Sequence, residues 1–328
     1  MMRVLQIREA PFTKCAGVDA NCQGLIELFS DDSDIEMLPT IDYTRHTVPV
    51  LHQFYLDKQE ICDSIESLKP DIVHIHGAYS FTLWVAIKCA RMYQLPIFFS
   101  PHFHPFWSLR RPFMGRLFFE IITKRALKYV RTVFTINNED TAHFSRYHNN
   151  VVRIPHWPKF DIPTVKPDKN PKMILFVGRL DESNKGFEHL YHLPEGKYEI
   201  HCVGKGSVSL RSDMTKHTNI SNEELAQLYQ KASLLVVPSR YEAFSYATLE
   251  ALANYTPVVV SDRVRIADYL QDLPGLNVFK FHDYDEFILK VKETIGKAVD
   301  PLLISTIFSP AHIKELYKTA YFSAVSEL

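Results

Sequence analysis

The chain has 328 residues, of which 46% are hydrophobic, and its formal net charge is −1. This length exceeds what one ordinary core needs and suits two domains of roughly 150 residues. A net charge close to zero gives no global field that would attract nucleic acid, so we expect no nucleic-acid partner.

The five cysteines and the lack of long apolar runs indicate a protein of a reducing cytosol. The cysteines are odd in number and scattered, without a Cys-x-x-Cys pair or a Cys/His cluster, which disfavours a disulfide framework and structural zinc. The start, MMRVLQIREAPF, has neither the apolar core nor the cleavage site of a signal peptide. No apolar run approaches the ~20 residues that cross a bilayer. We therefore predict a cytoplasmic location.

Short apolar strands alternate with helical patterns along the first half of the chain. After the strand RVLQI come IEMLPTI, DIVHIHG, PIFFSPH, TVFTI and VVRIP, which are nearly continuous hydrophobic runs. Such runs are typical of parallel strands covered by helices on both faces. They predict a first doubly wound domain over residues 1–155.

A stretch rich in Pro and Lys interrupts this pattern and predicts a linker over residues 156–172. The strands MILFVG, YEIHCVG, LLVVPS, PVVVSD and LNVFKF then predict a second domain over 173–308. Residues 309–328 predict a helix capped by Ser309. Its apolar stripe fits an ordinary terminal helix or one that packs back on the first domain, and we expect the second. The predicted fold class is α/β, with two Rossmann-like domains facing across a cleft.

Two glutamates lie in the stretch RYEAFSYATLEALANYTPVVVSD, which follows the strand LLVVPS. Glu242 is in the loop after the strand, and Glu250 is about one turn into the next helix. The start of such a helix binds anions, so residues 244–246 could meet a phosphate, and a neighbouring carboxylate could accept hydrogen bonds from sugar hydroxyls. A solvated loop acid and simple stabilisation of the helix dipole are equally open readings from the spacing alone.

This stretch resembles the signature of the retaining, nucleotide-sugar-dependent glycosyltransferases of family 4, which have the GT-B fold. The segments DIVHIHGAYS, FFSPHFHP, FVGRLDESNKGFEHL and EELAQLYQKASLLVVPS match further family segments in the same order, so the resemblance covers most of the chain. It implies a retaining hexosyltransferase that moves a sugar from a nucleoside-diphosphate sugar to a glycan, lipid-linked or small-molecule acceptor. Such transfer belongs to polysaccharide or glycoconjugate biosynthesis.

The resemblance implies roles for the second domain. Arg179 and Lys185 match the two cations that hold the donor diphosphate. Glu242 matches the carboxylate beside the transferred sugar, and Glu250 matches the one that binds the ribose. Backbone N–H groups of the helix start would meet the phosphates; these belong to Phe244, Ser245 and Tyr246.

In the first domain, Gly17 matches the family's glycine loop, which approaches the diphosphate. His102 matches the active-site histidine that hydrogen-bonds the donor sugar, and His104 is a neighbour that could be confused with it. His76 is a further candidate at the same edge of the sheet. We expect His76 and His104 to contact the acceptor together with two cations, Arg110 and Arg111.

The implied chemistry is a front-face substitution in which the leaving phosphate takes the acceptor proton. Catalysis would then depend on positioning and on charge stabilisation by Arg179, Lys185 and the helix start, so we expect neither a cofactor nor a metal. The sequence DDSD (Asp31 to Asp34) could suggest a metal-dependent transferase. We interpret it as a solvated turn.

Several positions depart from the family pattern. The family usually has glycine where Ala16, Ala243, Ser245 and Tyr255 stand, and Ile-Pro-Asn-Gly where this chain has IPHWP. These departures concern the donor pocket, so the base and the sugar of the donor are not predicted. Neither are the acceptor, the linkage or the oligomeric state.

The segment between Ile72 and Asn138 is rich in Lys and Arg, and its only acid is Glu120. Its core, WSLRRPFMGRLFFEIITKRALKYV, mixes aromatic and cationic residues. It fits an ordinary helix with a solvated basic face, a helix on an anionic membrane surface, or a cleft for an anionic acceptor.

Two other classes of protein compete with a glycosyltransferase. A glycoside hydrolase could use Glu242 and Glu250 as its two carboxylates, but it would leave Arg179 and Lys185 without a role. A non-catalytic nucleotide- or glycan-binding module would explain the missing glycines, but it would not explain why the acids, the cations and His102 are all present.

Overall fold

The computed structural model describes residues 1–9, 16–43, 50–79, 81–109, 111–158, 162–271 and 273–325. The chain divides into two compact units. Unit 1 consists of Met1–Pro155 and Ile313–Leu328, and unit 2 consists of His156–His312. Each unit has a parallel sheet and its own buried core.

The strands of unit 1 form one parallel sheet. They are β1 (Met2–Glu9), β2 (Ile35–Met37), β3 (Ile41–Tyr43), β4 (Ile72–His76), β5 (Ile97–Ser100), β6 (Thr132–Thr135) and β7 (Val151–Arg153). Their order is β2-β1-β4-β5-β6-β7, and β3 also pairs with β1. The side chains of β4, β5 and β6 are buried throughout, as their continuous hydrophobic runs predict. The order reverses between β1 and β4, where sheets of this type bind their ligands.

The helices of unit 1 connect these strands. They are α1 (Ala16–Leu28), α2 (Val50–Leu68), α3 (Phe81–Met92), α4 (Pro112–Phe118), α5 (Lys124–Leu127) and α6 (Asn138–Phe144). A π-helical turn, Phe119–Thr123, joins α4 to α5. The core lies between sheet and helices, where Val73 and Ile75 share one apolar cluster with Ala86 and Ile61.

The predicted single strand IEMLPTI is wrong, because two short strands occupy this stretch. β2 ends at Met37 and β3 begins at Ile41, and both pair with β1. Pro39 lies between them. Proline has no N–H to donate to a sheet ladder, so it interrupts the pairing at this point.

Unit 2 has a second parallel sheet. Its strands are β8 (Asn170–Val177), β9 (Glu199–Val203), β10 (Met214–His217), β11 (Ala232–Val237), β12 (Val258–Ser261) and β13 (Leu276–Phe279). Their order is β10-β9-β8-β11-β12-β13, which reverses between β8 and β11. Its helices are α7 (Asn222–Lys231), α8 (Tyr246–Ala253), α9 (Tyr284–Thr294) and α10 (Leu302–Ile307).

The predicted linker ends earlier than expected, because β8 already begins at Asn170. Before it, the Lys169 Nζ donates to the Asn254 carbonyl at 2.8 Å and to Thr256 Oγ1 at 2.6 Å. It also lies 3.1 Å from the Tyr229 carbonyl. Three acceptors for one ammonium fix the end of the linker against the carboxyl ends of α7 and α8. The Lys-rich composition of this stretch predicted a linker and gave no sign that Lys169 is anchored.

The last helix, α11 (Pro310–Val325), belongs to unit 1 from Ile313 onward. Ser309 Oγ accepts a hydrogen bond from the His312 N–H, which is the predicted cap. Tyr317 and Tyr321 are buried. In the part of the chain that the structure describes, no helix has both the length and the apolar character needed to span a membrane.

The sequence DDSD is not merely a solvated turn. Lys314 Nζ lies 3.1 Å from Asp31 Oδ1, and Lys318 Nζ lies 3.3 Å from Asp32 Oδ2 and 2.7 Å from Asp34 Oδ2. These ion pairs tie the turn after α1 to α11. A turn motif alone could not reveal partners that lie about 280 residues further along the chain.

Candidate functional site

Two of the expected donor-site residues follow neighbouring central strands of unit 2. Arg179 comes just after β8, and Glu242 lies in the loop after β11. These strands pair in parallel, and the strand order reverses between them. Ligands of open parallel sheets bind at such a reversal, beyond the carboxyl ends of the strands. We call this edge of the sheet, together with the start of α8, the donor site, after the role that the resemblance implies for it.

Lys185 and Glu242 form an ion pair in the donor site. The Lys185 Nζ lies 2.5 Å from Glu242 Oε1, which also accepts a hydrogen bond from Ser239 Oγ at 3.0 Å. The two side chains are 26% and 19% exposed, so solvent screens their attraction only in part. Burial alone would lower the pKa of Lys185, but the Glu242 carboxylate outweighs burial and raises this pKa. The lysine is therefore charged at neutral pH.

Glycines hold Lys185 in place. The short helix that carries Lys185 ends at Gly186, whose φ is +66°. A Cβ at Gly186 would lie 1.9 Å from the carbonyl oxygen of Pro238, so only glycine fits against this end of β11. The Lys185 side chain packs on Gly178, where a Cβ would lie 3.3 Å from Lys185 Cδ. The lysine is thus fixed beside the residue that precedes Arg179.

Arg179 differs from Lys185 in its exposure. Its side chain is 64% exposed, and its Nε lies 3.8 Å from Asp181 Oδ1. At this distance and exposure the carboxylate holds the guanidinium only weakly. An exposed guanidinium at the end of a central strand is suited to meet an anionic ligand with several N–H donors.

The start of α8 is capped by a residue whose backbone is strained. Ser245 caps the helix, and its Oγ accepts a hydrogen bond from the Thr248 N–H at 3.3 Å. Its φ is +103°, in a region that favours glycine. The helix ends before Tyr255, whose φ is +59°. Both residues stand where the resembled family has glycine. This chain therefore has a backbone conformation that favours glycine at two positions that carry a side chain.

Glu250 is held by a tyrosine that the sequence did not single out. Glu250 is buried in α8, and the Tyr229 hydroxyl donates to its Oε2 at 3.1 Å. Burial, together with the charge of Glu250, raises the pKa of Tyr229 well above its ordinary value. The tyrosine therefore stays protonated and orients the carboxylate.

An aromatic stack covers the first residue of α8. The His156 ring lies parallel to the Tyr246 ring with centroids 4.9 Å apart and meets the Phe244 ring edge-on at 5.1 Å. His156 belongs to IPHWP, which replaces the family's Ile-Pro-Asn-Gly. The departure thus supplies packing around the helix start.

Three histidines of unit 1 lie together at the ends of β4 and β5. We call His74, His76 and His102 the histidine cluster. His76 Nδ1 is 3.1 Å from His102 Nε2, and the centroids of the His74 and His76 rings are 4.2 Å apart. The register pairs His76 with Ser100, which brings the two strand ends side by side. His102 and Ser100 also line a small cavity of unit 1.

The histidine cluster is neutral at physiological pH. Burial lowers the pKa of His74 to about 3 and that of His102 to about 4. Burial and the neighbouring histidines also lower the pKa of His76 well below its ordinary value. His74 bonds to the Tyr321 hydroxyl at 2.9 Å and to Ser100 Oγ at 2.8 Å. The cluster therefore acts through directional hydrogen bonds rather than through charge.

The loop after β5 is fixed at the two residues that follow His102. His102 has a φ of +44°, which is strained for a residue with a side chain. The next residue, Phe103, is buried and stacks on His143 with centroids 4.4 Å apart. The Tyr79 hydroxyl donates to the carbonyl of His104 at 2.7 Å. These contacts offset the strain at His102.

The remaining expected residues of unit 1 belong to different elements and loops. Gly17 is the second residue of α1. His76 is buried, whereas His104 and Arg111 are exposed. Arg110 lies outside the described residues.

Sequence reasoning did not single out Tyr229 or Ser239. Ser239 lies three residues before Glu242, so local spacing could have suggested it. Tyr229 reaches Glu250 from α7, and this contact depends on the packing of two helices. No local pattern encodes it.

Comparison with known proteins gives a family for part of the chain. Residues 171–296 match the model of the glycosyl transferases group 1 family. An uncharacterized glycosyltransferase of Methanocaldococcus jannaschii is 38% identical over 106 residues, 27% of each chain. The sulfoquinovosyl transferase of Arabidopsis thaliana is 23% identical over 285 residues, 73% of this chain and 54% of the relative. The chain thus spans about a quarter to about half of the length of these relatives.

Solved structures give the fold. The sucrose-phosphate synthase of Thermosynechococcus elongatus aligns with a TM-score of 0.74 at 17% identity and full coverage of both chains. Anabaena HepE in complex with UDP and glucose aligns with a TM-score of 0.75 at 13% identity, over 98% of this chain and 100% of HepE. These likenesses confirm the predicted GT-B fold. The chain therefore has the GT-B fold, and its residues 171–296 match the glycosyl transferases group 1 model.

Proposed function

We propose that the chain is a retaining glycosyltransferase that transfers a sugar from a nucleoside-diphosphate sugar to a glycan, lipid-linked or small-molecule acceptor. The observation that carries this proposal is the donor site, where Lys185, Glu242 and the start of α8 meet at the strand reversal of unit 2. The held positive charge of Lys185 and the exposed one of Arg179 would stabilise a departing diphosphate. Glu242 and Glu250 would accept hydrogen bonds from sugar and ribose hydroxyls.

The donor can be found by thermal denaturation. We expect one nucleoside diphosphate and its sugar to raise the melting temperature, because a ligand that binds only the folded state stabilises it by mass action. Uridine compounds come first, since HepE was solved with UDP and with UDP-glucose. Guanosine and adenosine compounds follow. The absence of any shift with all three bases would refute nucleotide binding.

Turnover tests the catalytic part of the proposal. We expect Lys185→Ala to lower kcat by roughly 10²–10³-fold, as for the loss of one preorganised group that stabilises developing charge. Lys172→Ala is the matched control, because Lys172 is an exposed lysine of β8 away from the donor site. Equal turnover in both variants would contradict a catalytic role of Lys185. Activity should persist in excess chelator, because we propose that protein cations, not a metal ion, neutralise the diphosphate.

We further propose that unit 1 binds an anionic membrane face peripherally, on the cytoplasmic side. An exposed surface that runs from the residue before α4 through α4 and the π-helical turn to the start of α5 combines apolar side chains with cations. These residues are Arg111, Phe113, Met114, Arg116, Leu117, Ile121, Lys124 and Arg125. Exposed apolar side chains can enter the interface while each nearby cation contributes about 1 kcal/mol of attraction to anionic lipid.

Vesicle co-sedimentation tests this surface. We expect binding to anionic vesicles that salt weakens, little binding to neutral vesicles, and loss of binding in an Arg111→Ala/Arg116→Ala variant. Lys292→Ala/Lys297→Ala removes two exposed lysines of unit 2 and is the control. Equal sedimentation with both lipids would exclude a membrane role. Lost turnover of a soluble acceptor in the arginine variant would assign the surface to the acceptor instead.

A further inference from the structure

His76 has one engaged and one unengaged ring nitrogen. Its Nδ1 lies 3.1 Å from His102 Nε2. Its Nε2 is buried and has no hydrogen-bond partner among the residues that the structure describes. The side chain is 2% exposed, so bulk water does not reach it readily.

The neutral imidazole of His76 carries its proton on one of these two nitrogens. A proton on Nε2 would leave a buried N–H without an acceptor. A proton on Nδ1 instead donates to His102 and leaves only a lone pair at Nε2. Orphaned buried N–H groups are rarer in proteins than under-satisfied acceptors, so the second arrangement is favoured. The nearby charge of Arg8 disfavours a second ring proton on His76.

This arrangement determines the state of His102. If His102 Nε2 accepts from His76, the proton of the neutral His102 ring is on Nδ1. His102 Nδ1 makes no hydrogen bond to the described residues, and the side chain is partly exposed at the end of β5. The ring therefore has a single donor to offer to a ligand.

We propose that His76 is a positioning residue that fixes the tautomer of His102, so that His102 Nδ1–H donates a hydrogen bond to a hydroxyl oxygen of the bound sugar. The sugar in this statement rests on the proposed function; the tautomer does not. The strained φ of His102 and the anchoring of Phe103 and His104 fix the ring direction, and His76 fixes which nitrogen carries the proton. His76 thus acts through His102 and need not touch substrate.

Long-range ¹H–¹⁵N correlation spectra of the full chain, labelled with ¹⁵N-histidine, test the tautomer directly at pH 7. Spectra of His102→Gln identify the His102 signals. We expect Nδ1 of His102 to be protonated in the wild type. In His76→Leu the preference should be lost, and in His76→Asn, whose side-chain amide N–H can replace the donor, it should be kept. His148→Leu is the control, because His148 bonds only to backbone groups of unit 1 among the described residues.

Kinetics separate positioning from structure. We expect His76→Leu to lower kcat roughly tenfold with donor KM nearly unchanged, and His76→Asn to restore most of it. Protonation of His102 on Nε2 in the wild type would overturn the proposal. So would a His76→Leu variant with unchanged His102 signals and unchanged kcat. A protein that shows Nδ1–H at His102 but turns over no nucleotide sugar would refute the proposed function while confirming the tautomer.

Discussion

The donor site of unit 2 and the histidine cluster of unit 1 use opposite electrostatics. The donor site pairs a charged lysine with a carboxylate and leaves Arg179 open to solvent. In the histidine cluster His74 and His76 are buried and His102 is partly exposed, and desolvation keeps all three rings neutral. A site for an anionic ligand needs charge that is fixed but reachable, whereas a site that orients a hydroxyl needs directional bonds and little charge.

The two regions share one property, which is backbone strain in a residue with a side chain. His102 has a φ of +44° and Ser245 a φ of +103°. Such conformations cost about 1–3 kcal/mol each and persist only where the surroundings enforce them. In the loop after β5 the enforcement is aromatic packing, and at α8 it is the helix cap. We expect the largest difference between the two regions at acid pH, where the buried neutral rings of the histidine cluster oppose protonation.

Acid should destabilise the histidine cluster more than any single substitution. The pKa values of His74 and His102 in the folded chain, about 3 and about 4, lie below those of an unfolded histidine. As pH falls below about 6.5, the unfolded chain binds protons that the folded chain does not, so the free energy of unfolding decreases. Each histidine contributes a loss on the order of 3 kcal/mol when the pH reaches about 4.

Urea unfolding between pH 7 and pH 4.5 measures this loss. His102→Gln should reduce the slope with pH, because one of the depressed groups is removed. His148→Gln is the control outside the cluster. A free energy of unfolding that stays constant from pH 6.5 to pH 5 would contradict the neutral, buried cluster.

Tyr229→Phe should weaken the donor site by a smaller amount. It removes the hydroxyl that donates to Glu250 and leaves the carboxylate buried. A hydrogen bond to a charged group contributes roughly 1.5–3 kcal/mol, so we expect the Kd of the bound nucleoside diphosphate to rise about tenfold or more. Titration calorimetry with the nucleotide found in the thermal screen measures it.

Tyr198→Phe is the matched control, since Tyr198 is another buried tyrosine of unit 2. It should lower stability slightly and leave the Kd unchanged. If Tyr229→Phe behaves in the same way, Glu250 stabilises only the helix and does not bind the ribose.

The sequence predicted elements better than contacts. Continuous apolar runs identify most strands, and parallel strands bring their carboxyl ends to one edge. This places His76 near His102 and puts Arg179 and Glu242 after neighbouring strands. The ion pair of Lys185 with Glu242 was not predicted, because it joins residues 57 positions apart through the turn at Gly186. The same limit hid the lysines of α11 that hold the turn after α1.

Local strain was also not predicted from residue type. Serine and tyrosine at positions 245 and 255 read as ordinary helix-flanking residues, yet both adopt positive φ. The resembled family has glycine at both positions, but we related these departures to the donor pocket and not to the backbone. The residue types at positions 245 and 255 therefore do not indicate the positive φ values that the backbone has at the two ends of α8.

Tyr255→Gly should stabilise unit 2, and its effect should be the smallest of the three that we predict here, after acid pH and Tyr229→Phe. Tyr255 follows the end of α8 with a φ of +59°, and its N–H donates to the Leu252 carbonyl at 3.1 Å. Glycine adopts this left-handed conformation without the cost of a Cβ, which is about 1 kcal/mol. The Tyr255 hydroxyl donates to the Pro163 carbonyl only at 3.4 Å, so its loss offsets little of the gain.

Tyr255→Phe separates the two contributions, because it keeps the ring and the positive φ and removes only the hydroxyl. We expect a rise in melting temperature for Tyr255→Gly and almost none for Tyr255→Phe. If glycine lowers stability, packing of the Tyr255 ring outweighs the strain, and the departure from the family pattern is a stabilising one. An altered nucleotide Kd in either variant would show instead that Tyr255 shapes the donor site.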